Sequence, residues 1–85
     1  MSAWIITAVG PDRPGLVQTL TSRLLDASAN VADSRMINLR GQFALILLVE
    51  IPDESAQSVQ DQLAQAASEL ELSIEFRAAS GAQAL

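Results

Sequence analysis

A seven-residue turn near the start of the chain is the stretch whose residue types could do chemistry. Residues 10–16 read Gly-Pro-Asp-Arg-Pro-Gly-Leu and follow an apolar run. Two prolines and two glycines do not continue a strand, and Pro14 has the fixed φ that suits the first turn of a helix. Gly15 lacks a Cβ, so another molecule could approach its backbone, where the unpaired N–H groups of a helix start carry partial positive charge. The turn therefore predicts a small anion pocket made of backbone.

Simpler interpretations of the same side chains stay open at this point. Asp12 could cap the helix, so that the glycines and prolines make only a compact corner. Asp12 and Arg13 could pair at the surface, or Arg13 could contact a ligand carboxylate. Asn30 could end the first helix in the left-handed conformation, or it could contact a ligand across a subunit interface.

The composition excludes most covalent and metal chemistry. The chain has no His, Cys or Tyr, and its five basic residues are all arginines. It therefore has no Ser-His or Cys-His nucleophile, no thiolate or imidazole zinc site and no disulfide. We expect no enzymatic activity, no metal and no cofactor.

The charge and hydropathy patterns restrict the partners. A net charge of −5 disfavours direct nucleic-acid binding and anionic membranes. No apolar run is long enough for a spanning helix, and no signal peptide is recognisable, so a cytoplasmic location is the default expectation. About half of the residues (49%) are hydrophobic, more than the core of so short a chain hides, so we expect an oligomer.

Periodicity and turn signals predict six elements in one domain, residues 1–79, followed by a flexible tail, residues 80–85. The first strand spans residues 3–9, and the first helix spans residues 14–28 with an apolar stripe that includes Val17. An edge strand, residues 31–40, has Val31, Asp33, Arg35, Ile37 and Leu39 on one side. A tight turn at Gly41 leads to an apolar strand, residues 43–51. The second helix spans residues 54–70, and the last strand, residues 72–77, has one polar face.

This order, βαββαβ, predicts an α+β fold of the ferredoxin-like type, a two-layer sandwich. A four-stranded antiparallel sheet carries both helices on one face. The apolar strand is apolar on both sides, since Ile46 and Leu48 alternate with the residues that face the helices. We therefore expect the second face of the sheet to meet another sheet or subunit.

With this order in place, residues 10–16, Asn30-Val31 and residues 41–44 together resemble an ACT domain, of the kind found in glycine cleavage system transcriptional repressors. The resemblance implies a regulatory module that binds a small amino acid between two ACT domains. The ligand carboxylate would meet the backbone at the loop and helix start, and the partner domain would contribute its edge strand, with the Asn30 amide holding the amino group. The implied ligand-binding residues are Asp12, Arg13, Pro14, Gly15, Leu16, Asn30, Val31 and Ala32, of which Pro14 offers no N–H.

The leading functional hypothesis is a sensor of glycine or serine that acts as a homodimer or with a partner regulatory protein. The alternative is a purely structural dimerisation domain that binds no ligand. An acylphosphatase-like enzyme is a third interpretation, since that fold also uses an Arg in the first loop and an Asn on a strand. It is disfavoured because Asp12 would repel a phosphate.

Overall fold

The computed structural model describes residues 2–79, and its elements follow the predicted order βαββαβ. The predicted tail, residues 80–85, lies outside the described residues. The elements are β1 Ser2–Pro11, α1 Leu16–Asp26, β2 Asn30–Leu39, β3 Gln42–Ile51, a 3₁₀ turn Asp53–Ser55, α2 Ala56–Leu70 and β4 Ser73–Ala78.

The four strands form one antiparallel sheet in the order β2-β3-β1-β4. Both helices bury their apolar stripes in one cluster with residues of β1 and β3, which confirms the predicted ferredoxin-like sandwich. No helix in residues 2–79 has the length and hydropathy needed to cross a membrane.

The alternation along β3 decides where the core lies. Every second residue from Phe43 to Ile51 is buried under the helices, whereas Ile46, which lies between them, is 45% exposed. On α1 the side chains of Leu16, Leu20 and Leu24 close the core from above. The side of the sheet that carries Ile46 meets no other element of the described chain, and we call it the open face.

β1 continues two residues further than the sequence predicts. Gly10 pairs with Phe43 and Pro11 with Gln42, so the strand enters the glycine-proline turn. Proline is tolerated there because β4 pairs with β1 only as far as Val9, so no strand on that side needs the missing N–H.

α1 begins at Leu16, two residues later than predicted. Gly15 precedes it as the N-cap with φ +78°, a left-handed conformation that only glycine adopts readily and that interrupts a helical path from Pro14. The predicted placement of Val17 in the buried stripe is also wrong, because its side chain is 41% exposed.

Ser28, not Asn30, takes the left-handed conformation that ends α1. Its φ is +62°, its N–H donates to Leu25 O at 2.9 Å, and the Ala29 N–H donates to Leu24 O at 2.9 Å. These two bonds are the Schellman motif. Asn30 is therefore not a helix cap, and it begins β2 instead.

The conformation of Ser28 predicts opposite effects of one substitution at two serines. Ser28→Gly should raise the free energy of unfolding by about 0.5–1 kcal/mol, because glycine adopts positive φ without strain. Ser22→Gly, in the exposed interior of α1, should lower it by about 0.5 kcal/mol. Urea unfolding of both variants tests this, and a destabilised Ser28→Gly protein would contradict the assigned helix end.

A bulge in β2 shifts the predicted alternation by one residue. Val31 pairs with Val49 but Asp33 pairs with Leu48, which leaves Ala32 as the extra residue. Val31 therefore lies on the helix side and packs against the core, whereas Asp33 lies on the open face. The sequence-based placement of Val31 on the same side as Asp33 is wrong, since the irregularity cannot be read from a period-two pattern.

Candidate functional site

Residues 12–15 link β1 to α1 at the end of the sheet that also carries the β2–β3 hairpin. The hairpin turns through Arg40 and Gly41, both at positive φ (51° and 79°), as a two-residue type I′ turn requires. The Asp12 N–H donates to Gly41 O at 2.9 Å, and the Asp12 carboxylate accepts a hydrogen bond from Asn38 Nδ2. Asp12 therefore fixes the loop to the hairpin, and the cap of α1 is Gly15, without a side-chain hydrogen bond.

Arg13 holds the other flank of the loop. Its guanidinium pairs with the Glu71 carboxylate, rather than with Asp12, and Glu71 is the left-handed residue that ends α2. The Arg13 side chain is 43% exposed and that of Glu71 67%, so solvent screens the pair and it contributes less than about 1 kcal/mol. Its role is positional, because it ties the loop to the turn between α2 and β4.

The start of α1 leaves backbone donors available. The Leu16 N–H donates to Arg13 O at 3.3 Å, and the Thr19 N–H and hydroxyl both donate to Gly15 O at 3.0 Å. Within residues 2–79 the N–H groups of Gly15, Val17 and Gln18 have no backbone acceptor outside the helix, and the first turn of a helix supplies none. These donors, at the positive end of the helix dipole, suit a carboxylate.

The space beside these donors is open. A Cβ built on Gly15 would meet no atom of the described residues within 4 Å. The first turn of α1 carries no acidic residue that would neutralise the helix dipole.

The edge group Asn30, Val31 and Ala32 lies at the opposite end of the sheet. Asn30 pairs with Glu50, which pairs with Ala3, whereas the loop follows Pro11. Eight residues along β1 separate the two ends by about 27 Å. Within one copy, therefore, these residues and the loop do not meet.

The side-chain amide of Asn30 has its nitrogen in use and its oxygen available. Its Nδ2 donates to Glu50 Oε1 at 3.1 Å, a side-chain bond to the neighbouring strand. This leaves Oδ1 as an acceptor. β2 itself is an edge strand, since it pairs with β3 alone, and in the described residues its outer edge has no neighbour.

Five residues that form the loop contacts or offer donors at the start of α1 were not predicted from the sequence as site residues. The hairpin signal at Gly41 could have indicated that Asn38 returns beside the loop. Nothing in the sequence indicated the contact with Glu71, because it joins residues 58 positions apart. The residues are Val17, Gln18, Asn38, Gly41 and Glu71.

Comparison with known proteins gives one consistent family. A family model for the ACT domain matches residues 2–77. A UPF0237 protein of Methanopyrus kandleri is 35% identical over 72 residues, which cover 82% of this chain and 80% of that protein. The glycine cleavage system transcriptional repressor of Escherichia coli is 34% identical over 70 residues, which cover 82% of this chain.

Comparison of the fold with solved structures agrees with this family. The crystal structure of a candidate glycine cleavage system transcriptional repressor superposes with a TM-score of 0.88 at 26% identity, over 93% of this chain. The chain spans only 37% of the length of the E. coli repressor and 46% of the superposed chain.

Proposed function

Because the chain belongs to the ACT domain family, we propose that it is a regulatory module that binds a small amino acid, glycine or serine, between two copies of itself. The observation that carries the proposal is the start of α1. Gly15, Val17 and Gln18 offer N–H groups without a backbone acceptor in the described residues, beside open space.

The carboxylate of the amino acid is the group that these donors suit. Backbone N–H groups at a helix start bind anions through hydrogen bonds and through the helix dipole. The Asp12 N–H is already used by Gly41 O, so the donors are those of Gly15 and the first turn of α1. Arg13 is held by Glu71 and would have to leave that pair to contact the ligand.

The amino group is assigned to the edge strand of the partner. Antiparallel pairing of β2 with β2 of a second copy brings the Asn30 end of one strand to the Leu39 end of the other, next to the Asp12 loop. Asn30 Oδ1 then accepts from the ammonium while its Nδ2 keeps the bond to Glu50. Val31 and Ala32 continue this edge.

Glycine and serine are proposed for two reasons. The repressor relative is named for the glycine cleavage system, and a site made of backbone at a strand edge selects small side chains. A ligand that bridges two copies stabilises that arrangement by its differential affinity for the two states. The bound state is then transmitted by contacts with a partner regulatory protein, in the cytoplasm.

Isothermal titration calorimetry of the whole chain against each of the twenty amino acids tests the proposal. We expect heat with glycine or serine at one ligand per chain. Asn30→Ala should weaken that binding about tenfold, as expected for one lost hydrogen bond to a charged group. Gln65→Ala, an exposed amide on α2, is the matched control and should bind as the unmodified chain does.

Absence of heat with every amino acid, in a folded oligomer, would overturn the proposal. The remaining interpretation would then be a structural dimerisation domain that binds no ligand. It is favoured by the exposed apolar residues of the open face, which need a partner whether or not a ligand binds.

A further inference from the structure

We propose that the open face is a self-complementary interface on which a second copy of this chain packs, sheet against sheet, with the two-fold axis parallel to the strands. This interface goes beyond the proposed function, because it lies on a different surface from the β2 edge and needs no amino acid. Three observations carry it: the apolar centre of the face, the charges at its two edges and the register that aligns them.

The open face is largely apolar between its charged edge residues and toward the β2–β3 hairpin. Ile46 near its centre is 45% exposed and Val9 is 50% exposed, and on the β2 edge Ile37 is 56% and Leu39 68% exposed. From the strand spacing and rise, the face measures about 500 Å² per copy, or roughly 1,000 Å² for two, the lower limit for a specific interface. The apolar residues on this face include Ile5, Val9, Ile37, Leu39, Ala44, Ile46 and Leu48.

The two edge strands carry charges of opposite sign on the open face, and the opposite charges lie in the same cross-strand row. Asp33 of β2 lies in one cross-strand row with Leu48, Ile5 and Arg77 of β4. The next row on this face begins with Arg35 and ends with Glu75, so its signs are reversed. Among residues 2–79 of one copy each charge has an ion-pair partner only along its own strand, Arg35 to Asp33 at 2.8 Å and Arg77 to Glu75 at 3.6 Å.

A two-fold axis parallel to the strands places each cross-strand row over the same row of the partner, with the order of the strands reversed. Asp33 then faces the partner's Arg77, and Arg35 faces the partner's Glu75. All four charges meet an opposite charge, and each pair forms twice in the dimer. Sheets packed face to face are rotated by about 30°, which shifts the edges by roughly one residue, a displacement that the long arginine side chains span.

The same axis brings apolar residues together in the middle of the face. β3 lies over the partner's β1, so Leu48 meets the partner's Ile5 and Ala44 meets the partner's Val9. An axis across the strands, between the two charged rows, would also pair opposite charges. Either axis covers Glu50 with an alanine of the partner, but the axis across the strands also leaves the row of Leu39 beyond the end of the partner's sheet.

Charge reversal at one matched pair tests both the interface and the axis. Arg35→Glu alone and Glu75→Arg alone should each weaken self-association about tenfold in sedimentation velocity without amino acid, because like charges then face each other. The double variant should recover to within about threefold of the original. Glu75 lies on β4, far from the β2 edge, so recovery can come only across the open face.

Two outcomes would overturn the proposal. Single variants that associate like the original chain would show that the open face is not an interface. Single variants that weaken association, without recovery in the double variant, would exclude the axis parallel to the strands, since the other axis pairs Arg35 with the partner's Asp33.

A second pair of variants separates the apolar contribution from general effects. Ile46→Glu, at the centre of the face, should lower self-association at least a hundredfold, whereas Leu25→Glu, on the outer side of α1 and 64% exposed, should leave it unchanged. Circular dichroism confirms that both variants are folded. Calorimetry with glycine then separates the two proposals, because Ile46→Glu leaves the β2 edge and the α1 start intact; equal self-association of the two variants would overturn the interface.

Discussion

Gly15→Asp is expected to lower the affinity for glycine or serine at least a hundredfold while the chain stays folded. Gly15 is the N-cap of α1, and an aspartate at an N-cap accepts hydrogen bonds from the N–H groups of the following turn. Its carboxylate would occupy the donors proposed for the ligand and would repel the ligand carboxylate. Each 1.4 kcal/mol lost is a factor of ten in affinity, and facing like charges cost several kcal/mol.

Gly15→Ala is the matched control for this experiment. It introduces the same strain at φ +78°, about 1–2 kcal/mol, without an acceptor or a charge. A Cβ at this position meets no atom of the described chain within 4 Å, so it adds bulk beside the donors but no acceptor that occupies them. We expect calorimetry to find a ligand affinity reduced by less than about tenfold, well short of the loss in the aspartate variant. Equal affinity of the aspartate variant would place the ligand carboxylate elsewhere.

Gly10→Ala is expected to lower the free energy of unfolding by about 3 kcal/mol, at the upper end of what overpacking of a core costs. A Cβ on Gly10 would lie 2.7 Å from Leu72 Cδ2 and 2.8 Å from the backbone oxygen of Glu71. The oxygen belongs to the turn that ends α2, so it cannot rotate away as a side chain does. For a domain of this size the melting temperature should fall by roughly 15 °C.

Gly41→Ala provides the comparison for this clash. Gly41 sits at φ +79° with no atom within 4 Å of a built Cβ, so the substitution introduces strain but no contact. It should cost only about 1–2 kcal/mol. Thermal unfolding followed by circular dichroism gives the melting temperatures of the unmodified chain, Gly41→Ala and Gly10→Ala, which we expect to decrease in that order. If Gly10→Ala were no less stable than Gly41→Ala, the turn at Glu71 would move freely. The packing of the loop against that turn would then contribute nothing to the free energy of unfolding.

The fold was predictable because its signals are local. Alternating apolar residues in residues 43–51 and three- and four-residue spacing in residues 54–70 identify a strand and a helix without knowledge of the rest of the chain. The structure confirms both elements within two residues of their predicted ends. Both ends of α1 differ from the predicted ends by two residues, because residues of positive φ, Gly15 and Ser28, flank the helix there.

By itself the sequence determined the element order, the apolar character of both sides of β3 and the turn of glycines and prolines before α1, since each depends on neighbouring residues. Only the tertiary structure decided that Asp12 bonds to Asn38, that Arg13 pairs with Glu71 and that Gly10 has no room for a Cβ. The rows of opposite charge on the open face likewise exist only through register. Register and bulges result from pairing between distant segments, and that pairing fixes which side chains share a row.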